Sequence, residues 1–169
     1  MIHPILKYGA PQLRNESNPV ESFGEELEKI ANDMIETMYS SPGIGLAAPQ
    51  IGLNLRLAAI DLSLGKDSSQ LITICNPEII STEGQQTSDE GCLSIPDFSE
   101  TVKRPMKMVV RGWSLGGEEM ILEAEGLLAR CFSHEIDHLN GVLFIDHLSS
   151  LKRSLIRSKI KKLAKAGEW

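Results

Sequence analysis

Apolar residues recur at the helical interval between 25 and 39. Leu27, Ile30, Ala31, Met34, Ile35 and Met38 keep the i, i+3, i+4 rhythm that one buried helix face requires. Ser22 and Glu25 stand at the spacing of a capping box, so the helix is expected to start there. The stretch Ser41 to Gly52 has glycines and prolines threaded with apolar residues. It is too hydrophobic for a solvated loop and too broken for a helix, and reads as a loop packed closely against something. Strand-like runs follow at 55–62, 71–80 and 106–115. The last is joined through Gly116-Gly117 to a run at 118–125, which suggests a hairpin with a two-residue turn. A second helical pattern fills Gly126 to Asn140 and stops at Gly141. A third covers 150–166, where Leu151, Leu155, Ile160 and Leu163 lie among basic residues. Strands interleaved with three helices in this way predict an α+β fold. Mixed, largely antiparallel sheets would pack around a central buried helix, 126–140, flanked by an N-terminal and a C-terminal helix.

The length of 169 residues fits one domain over 1–169, and the apolar and charged fractions, 41% and 24%, are those of an ordinary globular protein. No run approaches the roughly 18 apolar residues of a membrane span, and the first residues lack a basic-then-apolar leader, so a cytoplasmic location is expected. Cys75, Cys92 and Cys131 are odd in number and lack Cys-x-x-Cys spacing, which argues for a reducing compartment and for explaining each cysteine singly. Cys75 reads as a buried apolar filler. Charge is divided: residues 150–169 hold seven Lys/Arg and one acid, while the remainder holds ten basic and 22 acidic residues. An acidic body therefore carries a basic amphipathic tail, either a solvated helix covering part of the core or a surface for phosphate-rich partners.

The chemistry is concentrated in His134-Glu135-Ile136-Asp137-His138. On a helix, His134 and His138 lie on one face, where both imidazoles reach one metal ion, and Glu135 sits about 100° round, beside the metal. From there a carboxylate can take a proton from an activated water without occupying a coordination position. The helical wheel puts Leu127 and Cys131 on the histidine face and Leu128, Phe132, Ile136 and Leu139 on an adjoining apolar arc. Arg130, Ser133, Asp137 and Asn140 take the polar side.

Two histidines need a third ligand. The extended motif His-Glu-x-x-His-x-x-Gly-x-x-His matches through Gly141 and then meets Phe144 in place of histidine. Asp146 and His147 follow the helix stop too soon, and Glu168 is the only later acid. Cys131 shares the histidine face, but three ligands from one straight helix span too much length for one tetrahedral ion. Cys92, in the glycine-flanked segment Ser88 to Pro96, is the best choice. A Cys/His/His set leaves the fourth position for water, which favours catalysis over scaffolding. Gln50, held behind Pro49 in the packed loop, is a weaker candidate donor to a developing oxyanion. Phosphate cradling by the same loop is disfavoured, because no Gly-Lys-Ser/Thr ending is present.

Three stretches, Gly43 to Gln50 (GIGLAAPQ), Glu90 to Ser94 (EGCLS) and His134 to His138 (HEIDH), occur in the order and spacing of the peptide deformylases. The chain resembles the bacterial members with a C-terminal helix over essentially its whole length. The resemblance implies hydrolysis of the formyl group from N-formylmethionine on nascent polypeptides, with release of formate. It implies Cys92, His134 and His138 as ligands of one divalent metal, Fe²⁺ in the cell with Zn²⁺, Ni²⁺ or Co²⁺ forms obtainable. It further implies Glu135 as proton carrier, and Gln50 and the backbone N–H of Leu93 as oxyanion donors. Ile44, Gly45, Leu127 and Cys131 would form the methionine pocket, with Gly91 beside them and Gly91 and Glu90 shaping the cysteine loop. It also favours docking of 150–169 on the ribosome, and a monomer. On that reading, removing 150–169 leaves hydrolysis of a short peptide largely intact. Two positions depart from the family pattern. Ser133 stands where Gln is common, on the polar side of the wheel, and Ser99 stands where some bacterial members have Arg near the peptide path. A metalloprotease or a non-catalytic metal-binding, ribosome-associated module is the rival function, and neither DNA binding nor a membrane is implied.

Overall fold

The computed structural model describes residues 1–169. Helix α1, Glu25–Ser40, buries Leu27, Ala31, Met34 and Met38. It starts as the periodicity predicts, but not by a capping box. Gly24 is the N-cap, no side chain accepts from the first turn, and Ser22 is exposed ahead of it. The first-turn acids Glu25, Glu26 and Glu28 face the positive end of the helix dipole instead. Its buried face packs on the apolar stretch read as a loop, which is strand β1, Gly45–Ala47, followed by a 3-10 turn, Ala48–Ile51.

One five-stranded sheet runs in the order β1, β2 (Leu57–Ile60), β3 (Ile72–Cys92), β4 (Ile95–Trp113) and β5 (Glu119–Glu125). Every pair is antiparallel. The mixed character expected of the sheet reduces to an isolated parallel bridge, Asn18 to Leu55. The long pair β3/β4 is the main departure from the expected strands, which ended at 80 and began again at 106. From Glu78 to Asp89 every residue is exposed except the half-buried Gln86. No apolar alternation marks the strand there, and backbone pairing rather than burial holds it. Cys92 consequently sits at the end of a strand, one residue before a tight connection through Leu93 and Ser94, not in a free loop. The β4/β5 connection is also longer than two residues: it spans 114–118, closed by Ser114 N–H to Glu118 O at 2.8 Å.

Helix α2, Leu127–Leu139, lies against β1, β2, β4 and β5. Ala129, Phe132 and Ile136 meet Ala58, Ile60, Ile74, Met108 and Val110 in one apolar cluster. Its burial is wider than the wheel suggests, since Arg130 and Ser133 on the polar side are buried too. The helix ends at Asn140, and Gly141 (φ +74) turns the chain where a Cβ would lie 2.5 Å from Arg14 O. Ser17 N–H and Arg56 Nη1 both donate to Leu139 O, satisfying an end carbonyl. Helix α3, Ser150–Lys165, is capped by Ser149 Oγ accepting from Lys152 N–H. It buries Ile156 and Ile160 against Ile95, Val102 and Leu143 to Ile145, whereas Leu151 and Leu155 are 69% and 53% exposed. The tail thus covers a core cluster, through Ile160, which its sequence pattern singles out, and Ile156, which it does not. No helix is long and apolar enough to cross a membrane.

Candidate metal centre and active site

The end of β3 and the middle of α2 bring Cys92, His134 and His138 together, with their ligand atoms all within 4.8 Å of one another. Cys92 Sγ is 3.3 Å from His138 Nε2, which is 3.1 Å from His134 Nε2. Two nitrogens bound about 2.0–2.1 Å from one tetrahedral ion stand about 3.3 Å apart, so these edges fit a cation. His134 Nδ1 lies 2.8 Å from Glu90 Oε2. A carboxylate only accepts, so the Nδ1 proton is fixed there and the Nε2 lone pair turns toward Cys92 and His138. A thiol and two imidazole nitrogens gathered in this way suit a divalent transition metal.

Glu90 does more than shape the cysteine segment. Its carboxylate is buried and accepts from Arg104 Nη2 at 2.6 Å, Arg104 Nε at 3.0 Å and Arg130 Nη1 at 2.8 Å. Burial pushes the carboxyl upward, but the hydrogen bonds and charges of His134 and Arg104 outweigh it and hold Glu90 well below the usual carboxylate range. Arg104 continues to Asp137 at 2.7 Å, and His147 Nε2 lies 2.8 Å from the same oxygen. Arg130 also donates to Val102 O. This network explains why Arg130 is buried and Asp137 half-buried on the polar side of α2. The sequence contained a usable signal, a glutamate two residues before Cys92, but it becomes legible only once 81–92 is known to be strand.

Glu135 is buried, and its Oε2 has no hydrogen-bond partner. Desolvation raises its carboxyl to about 7. The His134 charge opposes that shift, and Glu90 adds to it. A Cβ at Gly45 would lie 2.6 Å from Glu135 Oε1, so β1 passes close enough that any side chain at 45 would push the carboxylate aside. Gln50 is oriented without ambiguity. Its Oε1 accepts from Ala47 N–H at 2.9 Å, which turns Nε2 toward Ser94 Oγ at 3.1 Å and Cys92 Sγ at 3.7 Å. Leu93 N–H, in the turn, donates to nothing within the chain. A cavity of about 530 Å³ is lined by Ile44, Gly45, Gln50, Gly91, Cys92, Leu93, Leu127, Cys131, His134 and Glu135. His138 lies behind it, 1% exposed. Leu127 is 51% exposed at its rim. Burial, with the charges of Glu135 and Glu90, pushes the Cys131 thiol up to about 12, so it contributes apolar surface rather than a nucleophile. Of the two departures, Ser99 is exposed opposite Gly91 in the β3/β4 register, and Ser133 is buried with an unpartnered hydroxyl instead of facing solvent.

Comparisons with known proteins agree with this geometry. Residues 2–154 match the model of the family described as polypeptide deformylase. A peptide deformylase from Acidobacterium capsulatum is 52% identical over 169 residues, covering 100% of this chain and 99% of that protein. One from Mesorhizobium japonicum is 50% identical over 165 residues, covering 97% and 94%. The crystal structure of a peptide deformylase from Legionella pneumophila superposes with a TM-score of 0.92 at 46% identity, covering 99% and 98%. The chain belongs to the peptide deformylase family, metal-dependent hydrolases that remove the formyl group from the N terminus of newly made polypeptides.

Proposed function

We propose that Glu135, Gln50 and Leu93 carry out deformylation in the cavity between β1 and α2, with Cys92, His134 and His138 holding one divalent cation. The observation that carries this reading is the unpaired, buried Glu135 carboxylate beside three converging soft and borderline ligands. A cation held there supplies a Lewis acid that acidifies the attacking water and polarises the formyl oxygen. Glu135, with its carboxyl near 7, accepts the proton of that water and returns it to the departing amine nitrogen at neutral pH. The Gln50 amide and the Leu93 N–H donate to the oxygen that gains charge as the carbonyl carbon becomes tetrahedral. Ile44, Gly45, Leu127 and Cys131, with Gly91 at the edge, receive the methionine side chain. Glu90 locks the His134 tautomer from behind.

The ligand set suits zinc, and divalent affinity rises from Fe²⁺ to Zn²⁺, so iron is selected by availability. We read the cellular metal as Fe²⁺, on the family resemblance, with zinc, nickel and cobalt forms obtainable. Residues 1–169 form one deformylase domain, a monomer working in the cytoplasm, where three unpaired cysteines are at home. The exposed basic side of α3, with Leu151 and Leu155, is its surface for the ribosome. The decisive experiment incubates anaerobically prepared, Fe²⁺-loaded protein with formyl-Met-Ala-Ser and with its unformylated and acetylated analogues, following formate. Formate from the first alone is expected. Its absence sinks the reading, and internal cleavage would place the chain with the metalloproteases.

A further inference from the structure

The first residues of the chain run across the site rather than away from it. Leu6 N–H donates to Gln50 O at 2.7 Å, and Tyr8 N–H donates to Ser94 O at 2.8 Å. One short segment, residues 6–8, is therefore strung between the residue carrying the candidate oxyanion amide and the Leu93-Ser94 turn that follows Cys92. Gln50 and Ser94 are themselves joined on the inner side, Nε2 to Oγ at 3.1 Å. The segment closes this link from outside.

The segment is held in turn by a residue from the other end of the fold. Trp169 Nε1–H donates to Tyr8 O at 2.9 Å. Its ring meets Phe98 edge-on, with centroids 6.1 Å apart and planes at 64°, and Lys7 Nζ lies 5.8 Å from it. Phe98 lines the catalytic cavity, and its carbonyl lies 3.3 Å from where a Gly91 Cβ would be. Tyr8, Cys92, Phe98 and Trp169 all pack against the cluster that contains Ile95, Ile156 and Ile160. The indole therefore touches both supports of the cysteine turn: the strap behind it and the wall beside it. Neither contact reaches the substrate or the metal ligands directly.

We infer that Trp169 is a positioning residue for deformylation, holding the 6–8 strap and Phe98 so that the Gln50 amide and the Leu93 N–H keep their places. The inference rests on the deformylase reading above. Donors aimed at a developing charge act in the transition state, so loosening them lowers kcat and leaves ground-state binding of the peptide nearly untouched. Packing that served stability alone would move the melting temperature and neither constant.

The test compares metal-saturated wild type with Trp169→Ala, Trp169→Phe and Ile121→Ala, an exposed position on β5. Each is assayed for formate from formyl-Met-Ala-Ser well below its melting temperature. Trp169→Ala is expected to lower kcat roughly 10-fold, short of the roughly 100-fold that a 1 Å misplacement costs, with KM within about twofold. Trp169→Phe keeps the ring against Phe98, loses the N–H, and should fall between. Ile121→Ala should match wild type. Wild-type kcat in Trp169→Ala, or a change in KM alone, overturns the inference; absence of formate from wild type overturns the deformylase reading and this role with it. Should the alanine variant fail to fold, emission decides. The chain has two tryptophans, so in Trp113→Phe/Glu135→Gln, excited where tyrosine does not absorb, the only emitter is Trp169. Saturating formyl-Met-Ala-Ser should shift its emission, and an unchanged spectrum means the indole is not coupled to the site.

Discussion

At the scale of single residues, the site depends on proton positions that the surrounding groups fix. In the proposed mechanism Glu135 accepts and returns one proton, a role worth roughly 10²–10⁴-fold in rate. Glu135→Gln should therefore keep the metal and lose turnover by that order, whereas Cys92→Ala should lose the metal itself; formate release and metal analysis on the same preparations separate the two. Gly45 faces the same carboxylate. A methyl group 2.6 Å from Glu135 Oε1 must displace either β1 or the glutamate. Gly45→Ala is accordingly expected to reduce kcat at least 10-fold with metal content unchanged, and full activity would show that the carboxylate has room to move. Glu90 offers a graded comparison. Glu90→Gln retains an acceptor for His134 but not the charge, and should weaken metal binding by about 10–100-fold. Glu90→Ala also leaves the buried Arg130 without a carboxylate and Arg104 with Asp137 alone, a loss of about 3–5 kcal/mol that chemical denaturation will register.

At the scale of elements, legibility in the sequence followed burial. Helices α1 and α2 could be read because an apolar stripe repeats along each, and the same stripe placed His134, Glu135 and His138 on known faces of α2. The outer half of the β3/β4 pair carries no such stripe, so Cys92 was legible as a candidate ligand before its strand was legible as a strand. Arg104, near the far side of that pair, could not be joined to Glu90 without the register that sets β3 against β4. Helix α3 shows a different failure. Leu151 and Leu155 stand four apart and look like a buried face, yet they are exposed, and Ile156 joins the expected Ile160 in making the contact. This changes what removing residues 150–169 should do. Instead of leaving hydrolysis intact, truncation bares Ile95 and Phe98 beside the site and should lower both stability and rate. Substitutions resolve the helix more finely: Ile156→Ala or Ile160→Ala should each cost about 2–5 kcal/mol. Leu155→Ala should stay within about 0.5 kcal/mol in the same denaturation assay. That asymmetry leaves the exposed leucines and lysines free for a test of ribosome docking by co-sedimentation that stability cannot confound.

Across the whole molecule, carboxylates tie distant segments together, and this sets how the fold should respond to pH. Met1's amino group donates to Asp33 on α1 at 2.8 Å, Tyr39 at the end of α1 donates to Asp61 beyond β2, and Arg14 donates to Asp146 after α2 at 2.6 Å. All three carboxyl groups lie below their ordinary value of 3.8. For Asp33 the cause is the hydrogen bond from the amino group, then the one from His3. For Asp61 and Asp146 burial pushes upward, and is outweighed by bonds from Ser63 and Tyr39 in one case and from Arg14 in the other. Because the unfolded chain binds these protons more readily, their contribution is complete above the unfolded value and drains away as pH falls through it toward the folded values. The alkaline side has the opposite sign: burial, with Asp61, raises the Tyr39 phenol from 10.0 to about 12, so the unfolded chain loses that proton first and stability falls as pH rises above 10. Asp61 faces both limbs. Unfolding by urea from acid to alkaline pH should give a dome whose acid limb is shallower in Asp61→Asn and whose alkaline limb is shallower in Tyr39→Phe. Limbs of unchanged slope in these two variants would mean that acid and alkaline unfolding are governed by the charge of the acidic body as a whole rather than by the ties between α1 and the residues beyond β2.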